Sequence, residues 1–183
     1  MNKQEGKSLE NNQKRQKITI GSVFEVPING EYYVYGQILP NGGYVFFDYK
    51  SKMPIRNIST LTSAPILFVV GVYDYVITRN IWHKVGKLPI RKELETQPMQ
   101  YIYDSKTGKF SLYDNNTGTI TPSSKDAVRG LECAAVWGEN HIIDRIRDYY
   151  NHIPCIWLKE HYELFPESIP HTDFSTGKWG QLP

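Results

Sequence analysis

Residues 130–150 read GLECAAVWGENHIIDRIRDYY, from Gly130 to Tyr150. Leu131 to Trp137 is apolar apart from Glu132 and too short for an average helix. That predicts a strand buried on both faces. Gly138 breaks the run. Ile142, Ile143, Ile146, Tyr149 and Tyr150 then recur at spacings of three, four and seven, the single apolar stripe of an amphipathic helix. Glu139 falls in the first turn, where a negative charge complements the helix dipole, and Pro154 bounds the other end. Glu139, Asp144, Arg145, Arg147 and Asp148 surround the stripe and are expected to face solvent or a partner. No nucleophile with an attendant base occurs here. The segment reads as a core element that presents a charged surface.

Working outward, local hairpins dominate. Ser22 to Ile28 is a strand, with Pro27 marking an edge position or a strand end. Asn29-Gly30 tolerates positive φ and predicts a tight turn into Tyr32 to Leu39. Asn41-Gly42-Gly43 turns the chain again into Tyr44 to Tyr49. Pro65 to Tyr75, PILFVVGVYDY, is nearly all apolar and predicts the central strand. Ile77 to Val85 extends or returns it, with Arg79-Asn80 at the turn. Pro89 and Pro98 leave room for one short helix over Arg91 to Glu95. Short strands fit Gln100 to Tyr103 and Phe110 to Tyr113, with turns at Ser105 to Gly108 and Asn115 to Gly118. A second short helix fits Ile156 to Leu164. The pattern is α+β: a mainly antiparallel sheet with C-terminal helices. The first three strands could curl into a small SH3-like barrel.

Residues 1–17 cannot bury enough surface to offset ordering and are expected to be a disordered tail. Residues 18–165 make a single α+β domain, and 166–183 a loosely held extension. No apolar run approaches the ~20 residues of a membrane span. The N-terminus has no apolar core of a secretory signal. With Cys133 and Cys155 as the two cysteines, too few for a disulfide framework, a cytoplasmic protein with reduced thiols is expected. Charge is polarised along the chain. Residues 1–17 carry +3, residues 50–109 carry +6, and residues 126–173 carry −5. Such polarity can steer a charged partner.

Catalytic and metal chemistry find little support. His141, Asp144 and Glu139 share one helix turn, but zinc takes three or four ligands, usually His or Cys, and no second cluster has ligand spacing. Asp48, Asp74, Asp104 and Asp114 end predicted strands, where Asp commonly forms turns. There is no phosphate loop, dinucleotide fingerprint or nucleophile elbow, so no cofactor is implied and no enzyme is expected. Nucleic-acid binding is a second reading. Tyrosines in YYVYGQIL and YVFFDY could stack bases while Lys50, Lys52, Arg56, Lys84, Lys87, Arg91 and Lys92 track phosphates.

Six segments in order resemble the immunity protein 26 family, bacterial proteins encoded beside polymorphic toxins. They are GSVFEVPI (Gly21 to Ile28), YVYGQIL (Tyr33 to Leu39), FFDY (Phe46 to Tyr49), PILFVVGVYDY, the Trp82, Gly86, Lys87, Pro89 spacing, and the opening stretch. The resemblance spans about Ile18 to Trp157. Its order and joint occurrence carry it. Gly138-Glu139 stands where related sequences tend to have Asp-Pro. The resemblance implies a small cytoplasmic protein that binds and neutralises a cognate toxin, with no catalytic residues to carry over. Such association uses charged surfaces with aromatic anchors. The expected contact is Glu139, Asp144, Asp148, Tyr149, Glu160 and Glu163, with Tyr150 and Tyr162 alongside. This surface would attract a basic toxin domain such as a nuclease. Trp137 and Trp157 are expected at the core or its edge.

Overall fold

The computed structural model describes residues 15–168. The predicted tail and C-terminal extension fall almost wholly outside the described residues. Of the tail, Arg15, Gln16 and Lys17 are described: the Gln16 amide donates to the carbonyls of Ile77 and Trp82 and accepts from the Lys84 N–H, and the Lys17 carbonyl accepts from Lys84 Nζ.

Strands β1 (Ser22–Ile28), β2 (Tyr32–Ile38) and β3 (Gly43–Ser51) form the expected antiparallel meander. Asn29 and Gly30 both adopt positive φ, as the tight hairpin requires. At Gly36 a Cβ would lie 2.4 Å from the Phe24 ring and 2.6 Å from the Val45 carbonyl, so only glycine fits. β4 (Ile66–Val72), β5 (His83–Lys87) and β10 (Val136–Trp137) complete a six-stranded sheet in the order β10-β4-β3-β2-β1-β5. β5 and β10 are its two edges, so the sheet stays open and no barrel closes. Pro27 is tolerated because β5 pairs with β1 only as far as Glu25, leaving the Pro27 edge unpaired on that side.

Two sequence expectations fail for one reason: local hydrophobicity does not encode position within a sheet. β4 is not central. Its burial alternates, with Phe68, Val70 and Val72 covered while Ile66 is exposed. The fully buried run is β3, where Tyr44 and Phe46 enter one core and Val45 and Phe47 the other. A short helix, α1 (Tyr75–Thr78), replaces the direct return and carries the chain to the far edge of the sheet.

The first core packs Phe24, Phe46 and Val70 against Trp82 and against Ile142 and Ile146 of α2 (Glu139–Asn151). Phe24 stacks on the Trp82 indole at 5.4 Å. The second packs Val23, Tyr35, Val45 and Phe47 beneath Leu61, Ala64 and Leu94. A second sheet runs β8-β7-β6-β9, from β6 (Gln100–Asp104), β7 (Lys109–Asp114), β8 (Thr119–Ser123) and β9 (Glu132–Cys133). Its core holds Tyr101, Phe110, Val128 and Phe165, closed by α3 (Lys159–Leu164).

Residues 131–137 correct the opening reading. They form no continuous buried strand. Glu132–Cys133 pairs parallel with β6 of the second sheet, and Val136–Trp137 pairs parallel with β4 of the first. Ala135 and Val136 between and within these bridges are exposed. The segment is a seam that stitches the sheets together, and its apolar character serves two short contacts rather than one deep one.

Candidate functional site

The helix forms where expected, capped by Gly138 in an extended conformation, with the Glu139 N–H donating to the Tyr75 hydroxyl at 3.3 Å. Its apolar face docks through Ile142 and Ile146, both fully buried. The charged face is used differently from the expectation. His152 takes a left-handed conformation (φ 57°), and the chain folds back along the helix through Cys155 and Trp157. This return segment covers Asp148, which is 3% exposed and not free to meet a partner. Arg147 donates two hydrogen bonds to Asp148 Oδ1, at 3.0 and 2.7 Å, and the Cys155 thiol lies against it. Burial outweighs the Arg147 contacts and holds the Asp148 carboxyl above its usual pKa. Arg145 is also committed. Its guanidinium makes a bidentate pair with Glu132 at 3.0 and 2.8 Å and lies 4.0 Å over the Phe68 ring.

The other named residues remain at the surface. Asp144 is half-buried; it accepts from Arg147 at 2.6 Å and from the Trp157 indole N–H at 2.9 Å. Glu139 sits at the helix start. Tyr149 exposes its ring while its hydroxyl donates to Asp48 Oδ2 at 3.0 Å; Tyr150 donates to the other oxygen at 2.8 Å. Glu160 and Glu163 are exposed on α3, and Glu163 lies 4.0 Å from Lys159. Tyr162, by contrast, is buried.

Trp157 is not core-edge packing. It is 49% exposed, with its ring centroid 4.0 Å from that of His141. Sequence reasoning missed it because residue type alone does not separate an exposed tryptophan from a buried one. The Asp48 clasp on α2 was missed for a different reason: about a hundred residues separate its partners. Together, Trp157, His141, Glu139 and Asp144 make a fixed aromatic platform flanked by carboxylates.

Much of the expected nucleic-acid platform is covered, although Tyr33 and Tyr49 are half-buried and Lys50, Lys52, Arg56, Lys87 and Lys92 are exposed. Tyr35, Tyr44, Phe46 and Phe47 are buried, and the Arg91 guanidinium donates to the Ala64 carbonyl at 2.7 Å over the Phe47 ring. Asp104 and Asp114 are turn formers, as expected. Each accepts from the backbone N–H two residues on, at 2.9 and 2.8 Å. A cleft of about 270 Å³ lies between α2, α3 and β4, where Arg145 and Glu132 are paired with each other and Tyr149 with Asp48. The Tyr101 hydroxyl, kept protonated by burial, is hydrogen-bonded to His161 Nδ1 at 2.8 Å. Burial pushes the Cys155 thiol up to about 11, which leaves it a poor nucleophile. Among the described residues no three His, Cys, Asp or Glu side chains gather as metal ligands, and no helix is long and apolar enough to cross a membrane.

The chain is thus a mixed α+β protein of two mainly antiparallel sheets with C-terminal helices. It belongs to the immunity protein 26 family, whose model matches residues 19–112. The match covers the six-stranded sheet up to β5 and the first hairpin of the second sheet. α2 and its carboxylates lie beyond it. Neither a search of curated proteins nor one of solved structures finds a significant match.

Proposed function

We propose that the protein neutralises a cognate toxin domain in the cytoplasm by tight association, without catalysis, through the surface of α2, the return segment and α3. The observation that carries this reading is Trp157, half exposed yet held by His141 and Asp144. A rigid exposed tryptophan loses little side-chain entropy on binding and is a common interface hot spot. Glu139 and Glu160 give the rim its sign, so the partner is a basic domain such as a nuclease. Family membership supports the toxin partner.

The test co-expresses the protein with the toxin domain encoded beside its gene. Growth should be restored, and the two chains should purify together. Trp157→Ala should raise the Kd about 30-fold or more. Glu139→Lys with Glu160→Lys should slow association about tenfold at low salt, an effect that fades as salt screens it. Unrescued growth with no complex would sink the reading. Unchanged affinity in both variants would move the contact off this face.

A further inference from the structure

Between the two sheets runs an open groove of about 740 Å³, inside the range of about 300–1,000 Å³ typical of ligand clefts. Its floor is the seam, where Gly71 of β4 meets Ala134 and Ala135. These short side chains let another backbone come close. Tyr73, 52% exposed, and Tyr113 form the walls. Two polar groups in it are unspent. Gln100, only 4% exposed, lines the groove; its side-chain amide is not among the buried polar atoms left unpartnered and makes no side-chain hydrogen bond within the described residues, so what it exposes opens to the groove. That amide offers one acceptor and two donors, the complement of a peptide group. Among the described residues, Asp74 is the only charged one lining the groove. Its Oδ1 accepts from the Tyr44 hydroxyl at 3.3 Å, and it has no ion-pair partner among the described residues.

We propose that this groove holds an extended, basic peptide segment of the partner, with its backbone bonded to the Gln100 amide and a Lys or Arg side chain paired with Asp74. The occupant follows from charge. Among the described residues no cation lines the groove to meet a phosphate, and Asp74 would repel one, so a nucleic acid is disfavoured. One wall of the groove is also linked to the start of α2. Tyr73 stacks on Tyr75 at 6.0 Å, and the Tyr75 hydroxyl receives the first N–H of α2. The identification of the partner as a toxin rests on the binding role proposed above; the peptide chemistry does not.

The groove can be tested without the toxin. The ¹⁵N-labelled full chain is titrated with the capped pentapeptide Ala-Ala-Arg-Ala-Ala and with its Glu counterpart, followed by NMR. Saturable shifts are expected at the Gln100 side-chain amide, Gly71 and Ala135. The Arg peptide should bind about tenfold tighter than the Glu peptide, and Asp74→Asn should remove that preference. Ala135→Trp, at an exposed position, should fill the groove and abolish the shifts while the rest of the spectrum is unchanged. Absent or non-saturable shifts at these positions, or equal binding of the two peptides, would overturn the proposal. So would shifts from oligouridine in place of either peptide. Growth rescue with unchanged toxin affinity in Ala135→Trp would overturn the groove and leave the α2 surface standing. Peptide binding without growth rescue would do the reverse.

Discussion

At Asp148, two forces oppose each other on one carboxylate. Arg147 offers a charge-assisted fork that favours the ionised form, while burial under the return segment disfavours it. Burial prevails, so the folded pKa lies above the unfolded one. The sign follows: this group binds a proton more readily when folded, so its contribution to stability is full below the unfolded pKa and is lost as pH rises through the folded one. At neutral pH the ionised carboxylate therefore gives little net support. Asp148→Asn keeps the shape and can still accept from Arg147. Its urea-unfolding free energy at pH 7 should lie within about 1 kcal/mol of the parent or above it. A loss of more than about 2 kcal/mol would mean that the ion pair with Arg147 dominates instead.

Elements whose signals are local were legible, and those fixed by distant contacts were not. Asn29-Gly30 announced the first hairpin because both residues must take positive φ. The stripe Ile142 to Ile146 announced α2, although Tyr149, assigned to it, lies outside with its ring exposed. The aspartates at 104 and 114 announced turns, and each turn repeats the pattern Asp-x-x-Thr-Gly ten residues apart, a small repeat that passed unnoticed. By contrast, β9 and β10 are two residues each and exist only through parallel pairing with β6 and β4. Two-residue bridges leave no periodicity to detect. Of the expected contact residues, Asp148 was misplaced because the chain reversal that covers it depends on His152 adopting a conformation that sequence favours only weakly. That left-handed residue is a weak point of the element. His152→Gly should relieve the strain and raise the thermal midpoint, with a gain of up to about 1 kcal/mol. No gain in calorimetry would indicate that the His152 side chain contributes contacts which offset the strain.

Across the whole molecule, the second sheet is fastened by groups whose charge state burial controls. His161 on α3 meets Tyr101 on β6 at 2.8 Å and packs against Phe165. Burial lowers the His161 pKa and raises that of Tyr101. For the histidine the folded value lies below the unfolded one, so its contribution is full above about pH 6.5 and is lost as pH falls through the folded pKa. Protonation would place a charge in this buried pair, with Nδ1 then donating to the Tyr101 hydroxyl oxygen. The tyrosine acts at the other end of the scale. With Tyr44 and Tyr150, also raised by burial, its contribution persists below about pH 10 and is lost above it. Asp148 and Glu25, both raised by burial, work against the histidine on the acid side. His161→Gln removes the histidine from that balance. Its unfolding free energy should therefore fall less steeply than the wild type's as pH drops from 7 to 5, and the difference should be absent above pH 7.5. In wild-type NMR spectra, resonances of β6 and α3 should broaden or shift together at the acid end while those of the first sheet hold. An identical pH slope in the variant would place the acid-sensitive fastening elsewhere and free α3 from the role of clamp on the second sheet.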